Sequence, residues 1–237
     1  MYINLFLGTV FSYLLGSIPF SQIVGKLVKG IDLRKTGTHN VGGVNLIRNA
    51  GAGWGALGGG LDVAKGAAAM WIAQDLLKVP SPDFLLAGLA VVAGHIWSIF
   101  LGFRGGKGIA TSWGALAWVS LPAGLICAAI YGLVHLLTRN GTTGLIAAFA
   151  ADGVYFFWTG APLIWYLLVI GFAILITGSC DNIQFQVTGD VGFVGKVNIT
   201  IVEKCIGIDI GRESIGITFC RQPRNSLIRV GRDQVFT

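Results

Sequence analysis

The chain has 237 residues, of which 54% are hydrophobic and only 12% charged, with a mean hydropathy of +0.72. Soluble domains carry about 25% charged residues, so this composition excludes an ordinary water-soluble fold and points to lipid as the main solvent. The net charge of +6 sits mostly in loops between apolar segments, which reads as membrane topology and anion binding, with no nucleic-acid partner.

Residues 1–176 carry 15 of the Asp, Glu, Lys and Arg residues and the last 61 carry 13, so a membrane part precedes a short, more ordinary tail. A spanning helix needs about 20 apolar residues. Residues 3–25 qualify, with Pro19 as a kink; they lack a basic leader and a small-residue cleavage signal, and read as a retained first helix. A polar stretch from Lys26 to Arg48 follows, with five Lys or Arg against one Asp. A Gly-rich segment over 52–73 predicts a second helix able to pack closely against neighbours. A turn over 74–83 leads to a third helix over 84–103, which ends at the basic loop Arg104–Lys107. Residues 108–138 are too long for one comfortable span, and Leu121-Pro122 divides them into two short helices. Helices over 143–158 and 162–177 complete the set. The expectation is an all-α polytopic membrane protein of about seven transmembrane helices, some short, with a small β-rich C-terminal tail.

The positive-inside rule places 26–48 in the cytoplasm and the N-terminus outside. Counting crossings returns 104–107, Arg139 and the region near 178 to the same face, so three polar loops are expected to converge there. The four cysteines (Cys127, Cys180, Cys205, Cys220) have no CxxC spacing, so neither a metal site nor a disulfide is called for.

Two loops have the composition of anion sites. In 36–48, glycines leave backbone amides free to face an anion, Asn and Thr add donors, and Arg48 suits bidentate phosphate binding. The same stretch also fits a Gly/Asn-rich turn with a topology-setting Arg. Gly94-His95 precedes Phe103-Arg104-Gly105-Gly106-Lys107-Gly108, then Thr111, an arrangement suited to an anion nest at a helix N-terminus or to a plain basic turn. Its spacing is not that of a Walker A loop. Asp62 and Lys65, three apart in an apolar segment, read as an internal ion pair locking helices together or as functional charges. Such intramembrane charges also suit a small-solute transporter, which would predict inverted repeats; none is evident.

Taken together, these residues resemble the bacterial membrane acyl-phosphate:glycerol-3-phosphate acyltransferase family over about residues 5–189. The likeness rests on Gly16-Ser17-Ile18-Pro19-Phe20, Asp32-Leu33-Arg34, the 37–48 loop, Leu61-Asp62-Val63-Ala64-Lys65-Gly66, Gly94-His95 and Phe103–Thr111, in family order and spacing. The resemblance implies transfer of a fatty acyl group from acyl phosphate to the 1-hydroxyl of glycerol 3-phosphate, in a bacterial inner membrane, with no cofactor. Its partners would be the two phosphorylated substrates, membrane lipid and an acyl-phosphate-forming enzyme. Arg48, Lys107 and His95 become the catalytic candidates: the two cations neutralise phosphates, and His95 orients groups within the site. Thr38, Asn40, Gly42, Gly43, Asn45, Arg104, Gly105, Gly106, Gly108, Thr111 and Asn182 become the substrate-binding candidates.

The chain departs from the family pattern at several places. His39 stands for a loop glycine, Gly43-Val44 for Ala-Thr, Ser98 for a proline and Arg104 for a lysine. In the last motif, Asp181-Asn182-Ile183 keeps its place with Asp for Glu, but the preceding Arg and His have no counterpart. A non-catalytic membrane scaffold is therefore the rival to the enzyme. The extension 190–237 is a separate domain in this reading. Within it, Cys205–Thr218 resembles the opening phosphate-loop strand pair of actin-like ATPases such as pilus-assembly members. Further segments of that fold are missing, so a fused fragment or a docking hairpin is expected and not a working ATPase.

Overall fold

Helices dominate because a chain in lipid must satisfy its backbone internally. A computed structural model describes residues 2–138 and 140–179 and, beyond them, the backbone of four strands. The chain divides into two units, Met1–Ser179 and Cys180–Thr237. In the first, the described residues form α1 (Tyr2–Ser17), α2 (Phe20–Lys29), α3 (Gly43–Ala50), α4 (Ala52–Trp71), α5 (Leu85–Ile96), α6 (Ile109–Val119), α7 (Leu121–Thr138), α8 (Gly141–Thr159) and α9 (Leu163–Ser179). In the second, β1 (Phe185–Asp190) pairs antiparallel with β2 (Lys196–Ile201), and β3 (Ile206–Ile210) with β4 (Ile215–Phe219). Arg139 and the stretch 180–184, which includes Asn182, lie outside the described residues, as do all side chains of the tail.

Proline sets two of the breaks. Pro19 has no N–H and cannot continue α1, so the chain restarts as α2 at Phe20. Ser120 leaves helical geometry at φ −153°, and α7 then opens with Leu121-Pro122, where a missing N–H costs nothing. The expected third helix, 84–103, stops sooner. α5 ends at Ile96, because Trp97 turns to φ −107°, ψ 62° and Ser98 is extended, and a short 3-10 turn follows at Ile99–Leu101. The polar stretch 26–48 is not all loop: it holds the end of α2 and most of α3. α3 forms because Leu46 has a dry place to go, fully buried beside Val24 and Leu33, while Arg48 faces solvent.

Small residues allow the helices to meet backbone to backbone, the packing that drives association when the surroundings are as apolar as the side chains. α1 crosses α5 where Gly16 lies against the Val91 carbonyl and Gly94 against the Tyr13 carbonyl. α4 crosses α6 where Gly66 meets the Thr111 carbonyl and Gly114 the Val63 carbonyl. α3 lies on α4 through Gly43, Gly55 and Gly59. Met70, Val91, Val92, Leu116, Phe156 and Phe172 fill the core with no exposure. Large apolar side chains stay exposed along α1, α7, α8 and α9, among them Phe6, Leu137, Val154 and Ile174. Trp54, Trp71, Trp118 and Trp158 are exposed near helix ends, as in the aromatic belts of membrane proteins. By length and hydropathy, Tyr2–Lys29 and Leu121–Thr138 suffice to cross a bilayer, and Leu85–Leu101, Ile109–Val119 and Leu163–Ser179 are shorter apolar helices.

A methyl group at Gly94 would collide with the Tyr13 carbonyl, whereas one at Gly132 meets nothing within 4 Å. Gly94→Ala should therefore destabilise by about 1–3 kcal/mol and Gly132→Ala by far less. Thermal unfolding in detergent checks this; equal melting points would refute the close crossing.

Candidate active site

The first loop is organised by one amide. Asn45, 1% exposed at the start of α3, donates through Nδ2 to the carbonyls of Leu33 (3.0 Å), Thr36 (2.9 Å) and Asn40 (2.9 Å). Its Oδ1 accepts from the Thr38 amide at 3.0 Å and from Asn49 Nδ2 at 3.0 Å. The side chain expected to bind phosphate is thus spent on holding the loop's shape. Gly43 is likewise a packing position, pressed on Gly59 of α4. Thr38 and Arg48 are exposed and Asn40 half-buried, so their side chains remain open to a ligand, whereas Gly42 spends its amide on the Asn40 carbonyl at 3.1 Å.

A second network fixes the base of this loop. Gln22 donates to Asp32 at 2.9 Å and accepts from the Leu33 amide at 2.9 Å. Arg34 closes on Asp32 through two guanidinium bonds of 3.0 and 2.9 Å, and this hydrogen bonding holds the Asp32 carboxyl well below the usual carboxylate range. His39 adopts φ 58°, the left-handed region where glycine is at ease and other residues are rare. Its Nδ1 lies 3.1 Å from the Arg34 carbonyl; a carbonyl only accepts, so Nδ1 carries the proton. The imidazole tethers itself where the family has glycine.

The second loop hangs from α5. The amides of Gly105 and Gly106 donate to the carbonyls of Ile96 (2.9 Å) and His95 (3.0 Å). They are therefore not the free anion donors that the glycine pattern suggested. Gly105 and Gly106 are small for another reason: a side chain at Gly105 would strike the His95 carbonyl, and one at Gly106 would strike both the His95 ring and the Val41 carbonyl. Gly108, at φ 83°, caps α6 in a conformation that favours glycine. The donors left facing outward are the amides of α6's first turn, with half-buried Lys107 and exposed Arg104 beside them. Thr111 is fully buried at the α4–α6 crossing, its hydroxyl without a partner among the described residues, and cannot reach a ligand outside.

Beneath both loops lies a buried charge node. Asp62 on α4 is 1% exposed; it meets Lys65 Nζ at 2.9 Å and accepts from Ser21 Oγ at 2.6 Å. Lys65 also donates to the Ile18 carbonyl at 2.7 Å, at the break Pro19 creates, and sits 5.8 Å from the Phe20 ring centre. His95 Nδ1 faces Asp62 at 3.6 Å, too long for a hydrogen bond. The Asp62–Lys65 pair lies within α4 but ties α2 and the break before it to α4, with His95 of α5 packed alongside. Sequence reasoning found the pair and missed Ser21, whose role had no signal beyond its place in the Gly16–Phe20 motif. Ser98, where the family has proline, sits at φ −63°, the angle proline would impose. Its hydroxyl donates to the Ser17 carbonyl, restoring the α1–α5 tie by other means.

So the structure brings Val41, His95 and Gly106 together, joining the first loop to the second, with Arg48 on α3, which follows the first loop, and Lys107 in the second. The third expected participant, Asn182, lies outside the described residues.

Residues 6–188 match the family model described as glycerol-3-phosphate acyltransferase. A Thermosipho melanesiensis protein named glycerol-3-phosphate acyltransferase is 36% identical over 79% of this chain and 89% of its own. Proteins of the same name from Gluconobacter oxydans and Aquifex aeolicus are 39% and 37% identical, over 68% and 76% of this chain and 77% and 94% of theirs. Among solved structures, the crystal structure of PlsY (YgiH), an integral membrane glycerol 3-phosphate acyltransferase, in its glycerol 3-phosphate form aligns with TM-score 0.67 and 34% identity, covering 74% of this chain and 87% of that one. Its lysophosphatidic acid form aligns with TM-score 0.67 and 33% identity, over 75% and 88%. The chain belongs to the glycerol-3-phosphate acyltransferase family.

The bonding of Asn45 makes a sharp prediction. Asn45→Ala removes the loop's hub, leaving the Leu33 carbonyl without its donor and the Thr36 and Asn40 carbonyls with only the His39 and Gly42 amides, at a cost of roughly 2–4 kcal/mol. Asn45→Asp keeps the shape but sets a carboxylate against those carbonyls and should be worse still. Comparing the melting of the two variants checks this; an Asp variant as stable as wild type would contradict the hub.

Proposed function

We propose that this family member transfers a fatty acyl group from acyl phosphate to the 1-hydroxyl of glycerol 3-phosphate, producing lysophosphatidic acid and phosphate. The reading is supported most by one observation: two polar loops meet where Val41 and Gly106 close around His95, one carrying Lys107 and the other leading into α3 with Arg48. The relatives' names and the two ligand forms of PlsY support the acceptor and the product. The acyl-phosphate donor is what the resemblance to the acyl-phosphate-dependent family implies, and the two cationic loops suit it.

In the proposed step, the acceptor hydroxyl oxygen bonds to the acyl carbon as the bond from that carbon to the phosphate oxygen breaks. The hydroxyl proton passes to a phosphate oxygen. Because the acyl group arrives activated, positioning and charge balance are the enzyme's main tasks, and no nucleophilic serine, cysteine, metal or cofactor is invoked. Arg48 and Lys107 balance the two phosphates, Arg104 adds positive charge, and Thr38, Asn40 and the start of α6 at Gly108 supply donors, while Gly42 belongs to the frame of the first loop. Asn182 is proposed to join from the chain after α9. Asn45, Gly43, Gly105, Gly106 and Thr111 serve by shaping the frame.

We place α1 with α2, and α4 through α9 singly, as seven crossings of a bacterial inner membrane, with the N-terminus outside, both loops cytoplasmic and the chain returning to the cytoplasm after α9. Excess Lys and Arg in 26–48 and at 104–107 supports this orientation. Residues 190–237 are a separate extension beyond the family match, which ends at 188; its likeness to an actin-like ATPase fragment suggests a fused remnant.

Purified protein should form lysophosphatidate from acyl phosphate and glycerol 3-phosphate, and none from acyl-CoA. Arg48→Ala or Lys107→Ala should lower turnover at least about 100-fold; near-normal rates in either would remove the site assignment. Single cysteines at Lys35 and Arg104 should label from the cytoplasmic side, and one at Gly160 only from the other.

A further inference from the structure

The 104–108 loop rests on two supports: at Gly108 the buried side chains of Val92 and Ile96, and at Gly106 the His95 ring, which on its other side faces the Asp62–Lys65 pair. His95 is 6% exposed, so direct contact with a substrate is limited, yet its Nδ1 makes no hydrogen bond among the described residues. A buried imidazole with an unpaired nitrogen is costly unless its placement does something else. Here its own carbonyl holds the Gly106 amide while its ring limits where Gly106 can sit, so one residue fixes the loop by main chain and side chain together. Asp62, in turn, is held by Ser21 and Lys65.

We propose that Asp62, His95 and Ser21 are positioning residues for phosphate binding: Asp62, set by Ser21 and Lys65, orients the His95 ring, and the ring holds Gly106 so that Lys107 and the start of α6 face the anion. The node takes no part in bond making. It adds to the reading above and rests on it, because the phosphate it serves is that of an acyltransferase substrate. Its signature is in affinity: a loop that drifts by an ångström loses its grip on the anion, and a misplacement of that size costs up to about 100-fold.

The test uses the full-length protein in detergent with acyl phosphate and glycerol 3-phosphate, on His95→Asn, His95→Gln and Ser21→Ala, with Lys107→Ala as reference. Asn keeps a polar atom near the Nδ1 position and Gln one near Nε2; both leave the Asp62–Lys65 pair intact. Both His95 variants should raise KM for at least one phosphorylated substrate about tenfold or more, with kcat within about threefold of wild type. Ser21→Ala should show the same pattern at about threefold, and it decides the matter if the His95 variants do not fold. A fall in kcat at unchanged KM would place His95 on the reacting atoms and overturn the proposal. A drop in melting temperature with kcat and KM both unchanged would reduce the node to scaffolding, which also overturns it. Failure of the underlying reading looks different: wild type would give no lysophosphatidate, or Lys107→Ala would turn over normally.

Discussion

The buried carboxylate of Asp62 organises the helices around the site. Asp62 sits where hydration is lost, and a charge there is tolerated only with compensation from its surroundings. Lys65 supplies the opposite charge at 2.9 Å and Ser21 a hydrogen bond at 2.6 Å. Neither contact is free to move: Lys65 is tied to the Ile18 carbonyl at 2.7 Å, and Ser21 rides on the first turn of α2. Buried ion pairs are poor sources of net stability, because desolvation cancels much of the attraction. What this pair contributes is uniqueness. Sliding α4 by a turn would strand two charges, so the registry of α2 against α4 is narrowly defined.

That registry is transmitted by close packing. Gly16 and Gly94 bring α1 and α5 into backbone contact, and Gly66 and Gly114 do the same for α4 and α6. Lipid provides little hydrophobic drive for helices to associate, so close contact and the few polar ties must carry the load. The consequence for the site is direct. α5 ends at Ile96 and presents two carbonyls to Gly105 and Gly106, while α6 begins at Ile109 with its amides beside Lys107. The loop between them spans a gap whose two banks are fixed by glycine crossings.

The departures from the family pattern divide by physical type. Ser98 replaces proline at a φ proline would accept, and recovers a helix tie through the Ser17 carbonyl. His39 replaces glycine where the backbone is left-handed, and anchors itself on the Arg34 carbonyl. In both, a side-chain hydrogen bond stands in for a backbone preference. Gly43 stands where the family has alanine, and here α3 lies so close to Gly59 of α4 that a methyl group would not fit without a shift.

Much of this protein was legible without coordinates. Apolar length and charge asymmetry identified a membrane chain, because hydropathy is a property of each residue whatever its neighbours. Pro19 and Pro122 marked helix breaks, since a missing N–H acts locally, and the i, i+3 spacing of Asp62 and Lys65 brought them to one helix face. Partners distant in the chain were hidden. Nothing local separates an Asn that binds phosphate from one, like Asn45, whose amide is consumed by Leu33, Thr36 and Asn40. Nor does a Gly-Gly pair announce whether its amides are free or, as at 105–106, bonded to the end of a preceding helix. Ser21 lies 41 residues from Asp62, and only folding makes them neighbours. Local chemistry selects the elements; which polar group meets which is decided by how the helices pack.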